Sequence, residues 1–473
     1  MKFLSTRGWL RQANFSDILI EGLAPDGGLT VPEQLPQLSI PTIESWRGLS
    51  YPQLAAKVIG IFWDDISEAD LTELAKNAYG EQFAAAETVP IKPFTVNFGL
   101  VGLSEGPTLA FKDMAMQFLG EAIPYVLKQR GGKLNIIGAT SGDTGSAAEY
   151  AFKNKPRTSV VMLSPKGRMS AFQRAQMYTL DVKNIHNVVI DGAFDDCQNL
   201  VKELNGDLEY KQKYSLGVVN SINFVRLAAQ CVYYFWAWLR ITDKMSAAQK
   251  ERAKISFTVP SGNFGNLFSG MLAKGLGLPV YRLVIATNEN DVLHELFTTG
   301  VYKPRKSADT FITSSPSMDI SKASNIERFI YELLGRDPAK LVAAFAELDR
   351  RGELDLRAHL PKFVGEYQLA SGVSRHANRI TTIRQIFNDY KVIIDPHTAD
   401  GVKVAQEVQE SGEIMYVMET AKPQKFETTV YEALGFAAKL SFEMLEMMQA
   451  EQHTVEMDSD SKELRKFVAR NAV

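Results

Sequence analysis

"LNIIGATSGDTGSAA", residues 134–148, joins an apolar run to small and hydroxyl-bearing residues and then to an alanine-rich segment. The apolar run is typical of a buried strand, and the glycines and serines after it are typical of a tight turn that opens a helix. Free backbone amides at such a helix N-terminus favour an anion, such as a substrate carboxylate. A turn capped by Ser141 or Asp143 is the alternative interpretation.

Seven more apolar or β-branched runs alternate with helix-length segments. They are "TSVVMLS" (158–164), "HNVVID" (186–191), "LGVVN" (216–220), "ISFTVP" (255–260), "VYRLVIAT" (280–287), "VIID" (392–395) and "IMYVME" (414–419). Such alternation predicts parallel sheets with helices on both faces. Because eight strands suit two sheets better than one, we expect an α/β fold with two open, twisted, mostly parallel sheets. Ligands of such sheets bind beyond the carboxyl ends of the strands, so we expect the active site in the cleft between the two halves.

The segment "VPIKPF", residues 89–94, marks the first predicted domain boundary, because two prolines interrupt the pattern there. Residues 1–97 are predicted to form an N-terminal domain of mixed short helices and turns. Residues 98–235 and 236–473 are predicted to form the first and second α/β halves.

Composition and charge exclude several classes of function. The 473 residues carry a net charge of −3 with both signs interspersed, so neither a nucleic acid nor a membrane is expected as a partner. No apolar run has the length of a membrane span or the form of an export signal. Cys197 and Cys231 fit no disulfide or CxxC pattern, and the six histidines have no metal-binding spacing. We expect a cytoplasmic protein without a metal site.

A second loop, "PSGNFGN" at residues 260–266, follows a predicted strand and leads into a helical pattern. Gly262 and Gly265 let the backbone approach a ligand, and successive amides that face one point form a phosphate cradle. The loop is not a Walker loop, because no GxxxxGK[ST] pattern occurs. A plain strand-to-helix turn is the alternative interpretation.

A lysine lies at the start of a predicted helix in "GPTLAFKDMAMQFLG", residues 106–120. Asp113 can cap this helix, whose apolar positions belong to a core, so Lys112 stands beside buried residues. A buried amine has a lowered pKa, and a neutral amine is a nucleophile towards carbonyls, including the aldehyde of pyridoxal phosphate. On the pattern alone, a lysine that reaches the surface is the better interpretation.

Three segments in this order resemble those of one enzyme family: "GPTLAFKD" at 106–113, "GATSGDTG" at 138–145 and "SGNFGN" at 261–266. With the N-terminal "STRG" and "APDGGLTVP", they closely resemble threonine synthases, pyridoxal-phosphate enzymes of the tryptophan-synthase-β fold type. The resemblance runs from Met1 to at least Ala433 and is specific, because several independent motifs agree in order and spacing.

The resemblance implies roles for the cofactor-binding residues. Lys112 holds the aldehyde of pyridoxal 5'-phosphate in a covalent link, and Thr420 faces the pyridine nitrogen. The cofactor phosphate is held by backbone amides and asparagine side chains of the second loop, namely Gly262, Asn263, Phe264, Gly265 and Asn266. One departure is visible, because Lys422 stands where the family commonly has His.

The resemblance also implies the reaction. The family converts O-phospho-L-homoserine and water to L-threonine and phosphate by γ-elimination and β-addition, with the freed lysine amine as general base. Two phosphates must then be held in one cleft. Basic and polar residues after predicted strands are our candidates for the substrate phosphate, since arginine forks match phosphate oxygens. They are Lys166, Arg168, Ser221, Asn223 and Arg226. A surface charge or a helix cap is the alternative for each.

The substrate carboxylate is expected at Ser141, Asp143 and Thr144, mainly on backbone amides. For His397 in "DPHTADG", residues 395–401, a turn or capping environment is at least as good an interpretation as catalysis.

Other functions stay open at this stage. A dehydrogenase would use Tyr302 and Lys306 as a YxxxK pair, but Pro304 disrupts a helical pair and the strand after the first loop lacks the acidic residue that holds ribose. A related phospholyase would stop after γ-elimination and release 2-oxobutanoate. A third alternative is a non-catalytic relative that only binds phosphate ligands. We expect a monomer or a homodimer.

Overall fold

A six-stranded sheet forms the larger half of the computed structural model, which describes residues 1–9, 12–167, 169–218 and 220–473. Its strands are β3 (Ile91–Thr95), β4 (Phe98–Val101), β9 (Lys254–Pro260), β10 (Leu283–Thr287), β13 (Leu369–Val373) and β14 (Glu413–Met418). They lie in the order β13-β10-β9-β14-β4-β3. Every pair is parallel except β3 with β4.

A five-stranded sheet forms the other half. Its strands are β5 (Leu134–Ala139), β6 (Thr158–Pro165), β7 (Ile185–Asp191), β8 (Leu216–Gly217) and β15 (Val455–Asp458). They lie in the order β15-β7-β6-β5-β8, with all pairs parallel. Two short antiparallel pairs complete the described strands: β1 (Phe3–Ser5) with β2 (Thr30–Pro32), and β11 (Val301–Tyr302) with β12 (Leu354–Asp355).

Helices surround both sheets. The α-helices in the described ranges are α1 (Phe15–Glu21), α2 (Ile40–Ser45), α3 (Tyr51–Gly60), α4 (Glu68–Ala78), α5 (Asp113–Arg130), α6 (Asp143–Phe152), α7 (Ala171–Tyr178), α8 (Phe194–Gly206), α9 (Leu208–Lys213), α10 (Phe224–Ile241), α11 (Ala247–Arg252), α12 (Gly265–Gly275), α13 (Val292–Thr299), α14 (Ile326–Leu333), α15 (Pro338–Arg351), α16 (Leu360–Gly365), α17 (His376–Tyr390), α18 (Pro396–Val408), α19 (Glu427–Leu434), α20 (Phe442–Gln449) and α21 (Ser461–Asn471). Two short 3₁₀ turns, Pro316–Met318 and Pro423–Phe426, lie close to the site described below.

Helix α10 is the centre of the core. Every residue from Phe224 to Leu239 is buried, and the helix packs against α3, α5 and α12. A helix whose side chains are mostly apolar around its whole circumference requires such complete coverage. Since α3 belongs to the N-terminal segment and α12 to the larger half, α10 ties the predicted domains into one core.

The α/β class and the two mostly parallel sheets are confirmed, and seven of the eight predicted strands are strands. The segment "VIID" at residues 392–395 is the exception. Asp395 accepts hydrogen bonds from the amides of His397 and Thr398 as the N-cap of α18, so this segment enters a helix. The sheet position beside β10 is filled by β13.

The sheets cross the predicted domain boundaries in two places. The boundary between residues 97 and 98 falls between β3 and β4, which pair with each other in the larger sheet. The C-terminal strand β15 lies in the smaller sheet, beside β7. Neither half is therefore a continuous segment of chain.

Within the described ranges, none of the helices is both long and apolar enough to cross a membrane. The same residues include no group of three or more His, Cys, Asp or Glu side chains that could hold a metal ion.

Gly120 gives a test of the packing between α5 and α6. A Cβ atom on Gly120 would overlap the backbone oxygen of Ala151. Gly120→Ala is therefore expected to lower the free energy of unfolding by about 1–3 kcal/mol through overpacking, although Ala favours a helix over Gly by about 0.5–1 kcal/mol. Urea denaturation measures the change.

Gly206→Ala is the control, because no other atom lies within 4 Å of an added Cβ at this helical position. It is expected to leave stability unchanged or to raise it by up to about 1 kcal/mol, because Ala favours a helix over Gly. Equal stability in both variants would show that α5 and α6 are not in such close contact.

Candidate active site

The carboxyl ends of three neighbouring strands meet at one edge of the larger sheet. Strand β14 lies between β9 and β4, and the three are parallel. The chain leads from β4 to Lys112, from β9 to Gly262 and from β14 to Thr420. Because parallel strands end on the same side of a sheet, three predicted cofactor-binding segments lie on that side.

Lys112 and Thr420 are held together by backbone contacts. The Phe111 amide donates to the Thr420 carbonyl oxygen at 2.8 Å, and Ala110 forms an antiparallel bridge with Ala421. Lys112 directly precedes α5, as the sequence predicts.

The Thr420 hydroxyl is available to a ligand. The residue is buried, and its amide donates to the hydroxyl oxygen of Thr398 at 3.0 Å. Within the described part of the chain, the Thr420 hydroxyl itself makes no hydrogen bond.

The amine of Lys112 is largely buried, with 14% of the side chain exposed, and it lies 3.8 Å from Asp143 Oδ2. Burial lowers the pKa of Lys112 to about 8. The Asp143 carboxylate opposes this shift, whereas the cations of Lys425 and Arg226 add to it. The neutral amine, which is the nucleophile and the base, is therefore accessible near neutral pH.

Asp143 is the first residue of α6, and its buried carboxylate has several hydrogen-bond and ion-pair partners. Its carboxylate accepts hydrogen bonds from Gln173 Nε2 and Ser317 Oγ, each at 3.0 Å, and lies 3.0 Å from Lys425 Nζ. Burial favours the neutral acid, but the cations of Lys425 and Lys112 hold the pKa of Asp143 well below its usual range. The carboxylate is therefore charged and already engaged.

The loop before α6 leaves amides free for an anion. Thr140 Oγ1 accepts hydrogen bonds from the Gly142 and Gly145 amides, at 3.0 and 2.8 Å. Gly142 is the N-cap of α6, and the side chain that accepts from this turn is that of Thr140 rather than Ser141 or Asp143. The amides of Asp143 and Thr144 donate to no group in the described structure, and the Ser141 side chain is exposed.

The second loop has the geometry of a phosphate cradle. Phe264 adopts a left-handed conformation (φ 64°) immediately before α12, and its ring is buried against Phe297. None of the described hydrogen bonds uses the backbone amides of residues 262–266 as donors. They stand at a helix N-terminus, where free amides and the helix dipole favour a phosphate.

The two asparagine side chains of this loop have protein partners. Asn263 Oδ1 accepts from the Ser324 hydroxyl at 2.8 Å. Asn266 Oδ1 accepts from the hydroxyls of Tyr233 and Tyr234, at 2.6 and 2.9 Å. Their side-chain oxygens therefore help to fix the loop, and the backbone amides of the loop remain without protein acceptors among the described residues.

The predicted substrate-phosphate residues lie in different environments. Arg226 is buried in α10 near Lys112, and its guanidinium donates to no described group. Asn223 caps α10 through the Val225 amide, and the Ser221 carbonyl accepts from Asn325.

Lys166 is exposed and pairs with Glu456 at 2.7 Å on the surface, so we leave it out of the proposed site. Arg168 lies outside the described residues.

Family models match most of the chain. Residues 2–79 match "Threonine synthase N terminus", residues 103–355 "Pyridoxal-phosphate dependent enzyme" and residues 398–468 "Threonine synthase, C-terminal". The threonine synthase of Methylobacillus glycogenes is 47% identical over 100% of both chains. The chain belongs to the threonine synthase family. The threonine synthase of Corynebacterium glutamicum is also 47% identical, over 99% of this chain and 98% of its own.

Solved structures of threonine synthases share the whole fold. A PLP-bound threonine synthase from Brucella melitensis superposes with a TM-score of 0.94, at 39% identity, over 100% of this chain and 99% of its own. The yeast threonine synthase superposes with a TM-score of 0.92, at 32% identity, over 99% and 98%. The chain is a pyridoxal-phosphate-dependent lyase of the threonine synthase family.

Lys422 replaces the histidine expected in this family without leaving a charge unpaired. Its Nζ donates to Glu105 Oε1 at 2.6 Å, and Lys92 binds the same carboxylate at 2.8 Å. Lys92 also contacts Glu419, the neighbour of Thr420. This cluster of two lysines and two glutamates pairs its charges beside the segment that carries Thr420.

His397 is held by hydrogen bonds at both of its ring nitrogens. Its Nε2 accepts from the Ser317 amide at 3.0 Å, so the proton is on Nδ1, which lies 2.8 Å from Asp395 Oδ1. The ring is fully buried and both of its nitrogens are used. The interpretation as a turn and capping segment agrees with this arrangement.

Three partners of Asp143 were not found by sequence reasoning: Gln173, Ser317 and Lys425. They come from α7 and from the two 3₁₀ turns, far from Asp143 in the chain. The only available signal was the second lysine in "METAKPQKF", residues 418–426, in a segment already assigned to the site.

Proposed function

We propose that this member of the threonine synthase family converts O-phospho-L-homoserine and water to L-threonine and phosphate. The observation that carries the proposal is that two sets of groups suited to anions, the loop of residues 262–266 and Arg226, accompany one buried amine. Among the described residues, the amides of residues 262–266 donate to no protein group and suit the phosphate of pyridoxal phosphate, and the buried Arg226 guanidinium has no partner and suits a second phosphate.

The residues at the site fit pyridoxal phosphate. Lys112 offers an amine of lowered pKa to its aldehyde, residues 262–266 offer amides to its phosphate, and Thr420 offers a hydroxyl to its ring nitrogen. When bound, the cofactor withdraws electrons from the carbon atoms of an amino-acid substrate.

Lys112 is the catalytic residue of this proposal. With the cofactor bound, the neutral amine of Lys112 would remove the proton from the substrate Cα as a general base. The lowered pKa of Lys112, about 8, suits this task near neutral pH, because the base is neutral in a substantial fraction of molecules.

The substrate is held at both ends. Its carboxylate binds the free amides of Asp143 and Thr144 beside Ser141, at the N-terminus of α6. Its phosphate binds Arg226, whose burial in α10 lowers its pKa only to about 10, so the guanidinium remains charged. Ser221 and Asn223 shape the turn that precedes this helix.

Thr420→Val tests the contact with the cofactor ring. The substitution keeps the side-chain shape but removes the hydroxyl, and is expected to weaken cofactor binding by about 0.5–1.5 kcal/mol, roughly twofold to tenfold. Titration of the apoprotein with pyridoxal phosphate measures the dissociation constant.

Thr429→Val is the control, since Thr429 is equally buried but lies in α19. It is expected to bind the cofactor as the parent protein does. Equal dissociation constants in both variants and the parent would place the Thr420 hydroxyl outside the cofactor site.

Product analysis with O-phospho-L-homoserine tests the reaction itself. Threonine and phosphate in equal amounts are the expected products. 2-Oxobutanoate in place of threonine would identify a phospholyase, and bound but unconverted substrate would identify a non-catalytic relative.

We also propose that the chain works in the cytoplasm as a monomer or a homodimer. Cys197 and Cys231 are buried, free thiols, which supports a reducing compartment. Light scattering on the purified protein measures the oligomeric state.

A further inference from the structure

A fully buried lysine, Lys425, lies beside the candidate active site. Its Nζ lies 3.0 Å from Asp143 Oδ1 and donates to the Thr108 carbonyl oxygen and to Gln176 Oε1, each at 2.8 Å. An ammonium group has three N–H donors, so all of them are used. Lys425 is thus a fixed cation with no donor left for a ligand.

The two carboxylate oxygens of Asp143 face different lysines. Oδ1 contacts Lys425, whereas Oδ2 lies 3.8 Å from the Lys112 amine and accepts from Ser317. A buried carboxylate is costly unless an opposite charge compensates it. Lys425 supplies that charge even when Lys112 is neutral or joined to the cofactor.

We propose that Asp143 is a positioning residue for the amine of Lys112, and that Lys425 keeps the Asp143 carboxylate ionised and in place. The inference rests on the role proposed above for Lys112. When this amine takes up a proton, a fixed counter-charge already lies beside it. When the amine is neutral, the carboxylate remains paired with Lys425 and need not take up a proton itself.

Four charged groups act on the Lys112 amine, each from a different element: Asp143 of α6, Asp113 of α5, Arg226 of α10 and Lys425 of the turn Pro423–Phe426. The two carboxylates favour the ammonium form, and the two cations disfavour it. Removal of the Asp143 charge and removal of the Lys425 charge therefore shift the pKa of Lys112 in opposite directions. Loss of the Asp143 charge lowers the pKa of Lys112, and loss of the Lys425 charge raises it.

Competitive acetylation of the full-length apoprotein over a range of pH tests this inference. Mass spectrometry of the peptide that contains Lys112 gives the pH midpoint of its reactivity, without a need for activity. Asp143→Asn is expected to move the midpoint down, and Lys425→Met to move it up, each by about one pH unit or more. General disruption of the fold would not shift the Lys112 midpoint in opposite directions in the two variants.

Lys422→Met is the matched control, because this lysine lies in the same segment but pairs with Glu105. It is expected to leave the Lys112 midpoint unchanged. Asp143→Asn and Lys425→Met are independent tests of the Lys112 midpoint. If one variant fails to fold, the other still tests the inference. A midpoint equal to that of the parent in a folded variant, or shifts of the same sign in both, would overturn the inference. The role of Lys112 in holding the cofactor is tested separately, through the absorbance of the holoenzyme.

Discussion

Lys112→Ala is expected to remove the visible absorbance of lysine-bound cofactor and to lower turnover by at least the ~10²–10⁴-fold that a general base contributes. The amine is the only group at this position that can hold the cofactor aldehyde, and its environment lowers its pKa to about 8. The absorbance spectrum of the purified variant and its rate with O-phospho-L-homoserine measure the two effects.

Lys112→Arg separates the charge from the nucleophile. The guanidinium keeps a cation beside Asp143 but stays protonated, so it neither forms the link nor acts as a base. It is expected to be as inactive as Lys112→Ala while retaining more of the parent stability. A variant of Lys112 with both parent-like absorbance and near-normal turnover would refute the central role of this residue.

The framework was predictable because buried parallel strands are continuous apolar runs. "TSVVMLS" at residues 158–164 forms the interior strand β6, whose residues are all buried. By contrast, β13 reads "LASGV", without a long apolar run, and it lies at the edge of the larger sheet. The segment "VIID" has the β-branched pattern of a strand, and Ile394 is indeed buried. Its last residue, however, is the N-cap of α18. An apolar pattern indicates that a segment is buried. It does not show whether the segment is a strand or a buried connection that leads into a helix.

Strand order could not be derived from the sequence. The C-terminal strand β15 pairs with β7, and β4 pairs with β14, across more than half of the chain. Such pairings depend on how the helices pack on the two faces of each sheet. The hydropathy of a segment reflects only its own burial and does not identify its neighbours in the sheet. The predicted boundaries followed sequence order and therefore divided the hairpin of β3 and β4.

The motifs point to loops that the fold brings to one side of the larger sheet, but not to the charge network around Asp143. Lys112 and Thr420 are predicted through the resemblance of their segments to those of threonine synthases, and residues 262–266 also through the glycines of a loop that follows a strand. Lys425 was missed because its importance arises from contact with Asp143, more than 280 positions away (425 − 143 = 282). Lys166 was a candidate because it follows a strand, and a strand end does not reveal that the next side chain points to solvent and to Glu456.

Arg226→Met is expected to weaken substrate binding by about 1.5–3 kcal/mol, roughly tenfold to a hundredfold, with little change in cofactor affinity. Methionine keeps much of the buried volume in α10 and removes the guanidinium charge. The guanidinium has no hydrogen-bond partner in the described structure, and burial lowers its pKa, so its charge costs free energy that an anionic ligand offsets. The KM for O-phospho-L-homoserine and the dissociation constant of pyridoxal phosphate are the two measurements.

The stability of Arg226→Met against urea is a second, independent test of the role of this residue. Because an unpaired charge is removed from the core, Arg226→Met is expected to be at least as resistant to urea as the parent in the absence of ligands. Phosphate or substrate should stabilise the parent more than the variant, since ligands stabilise the state that binds them. Lys166→Ala, which removes an exposed cation paired with Glu456, is expected to leave KM and ligand stabilisation unchanged. Loss of cofactor affinity in Arg226→Met with a normal KM would instead assign the buried guanidinium to the cofactor phosphate, and the substrate phosphate would then need another partner.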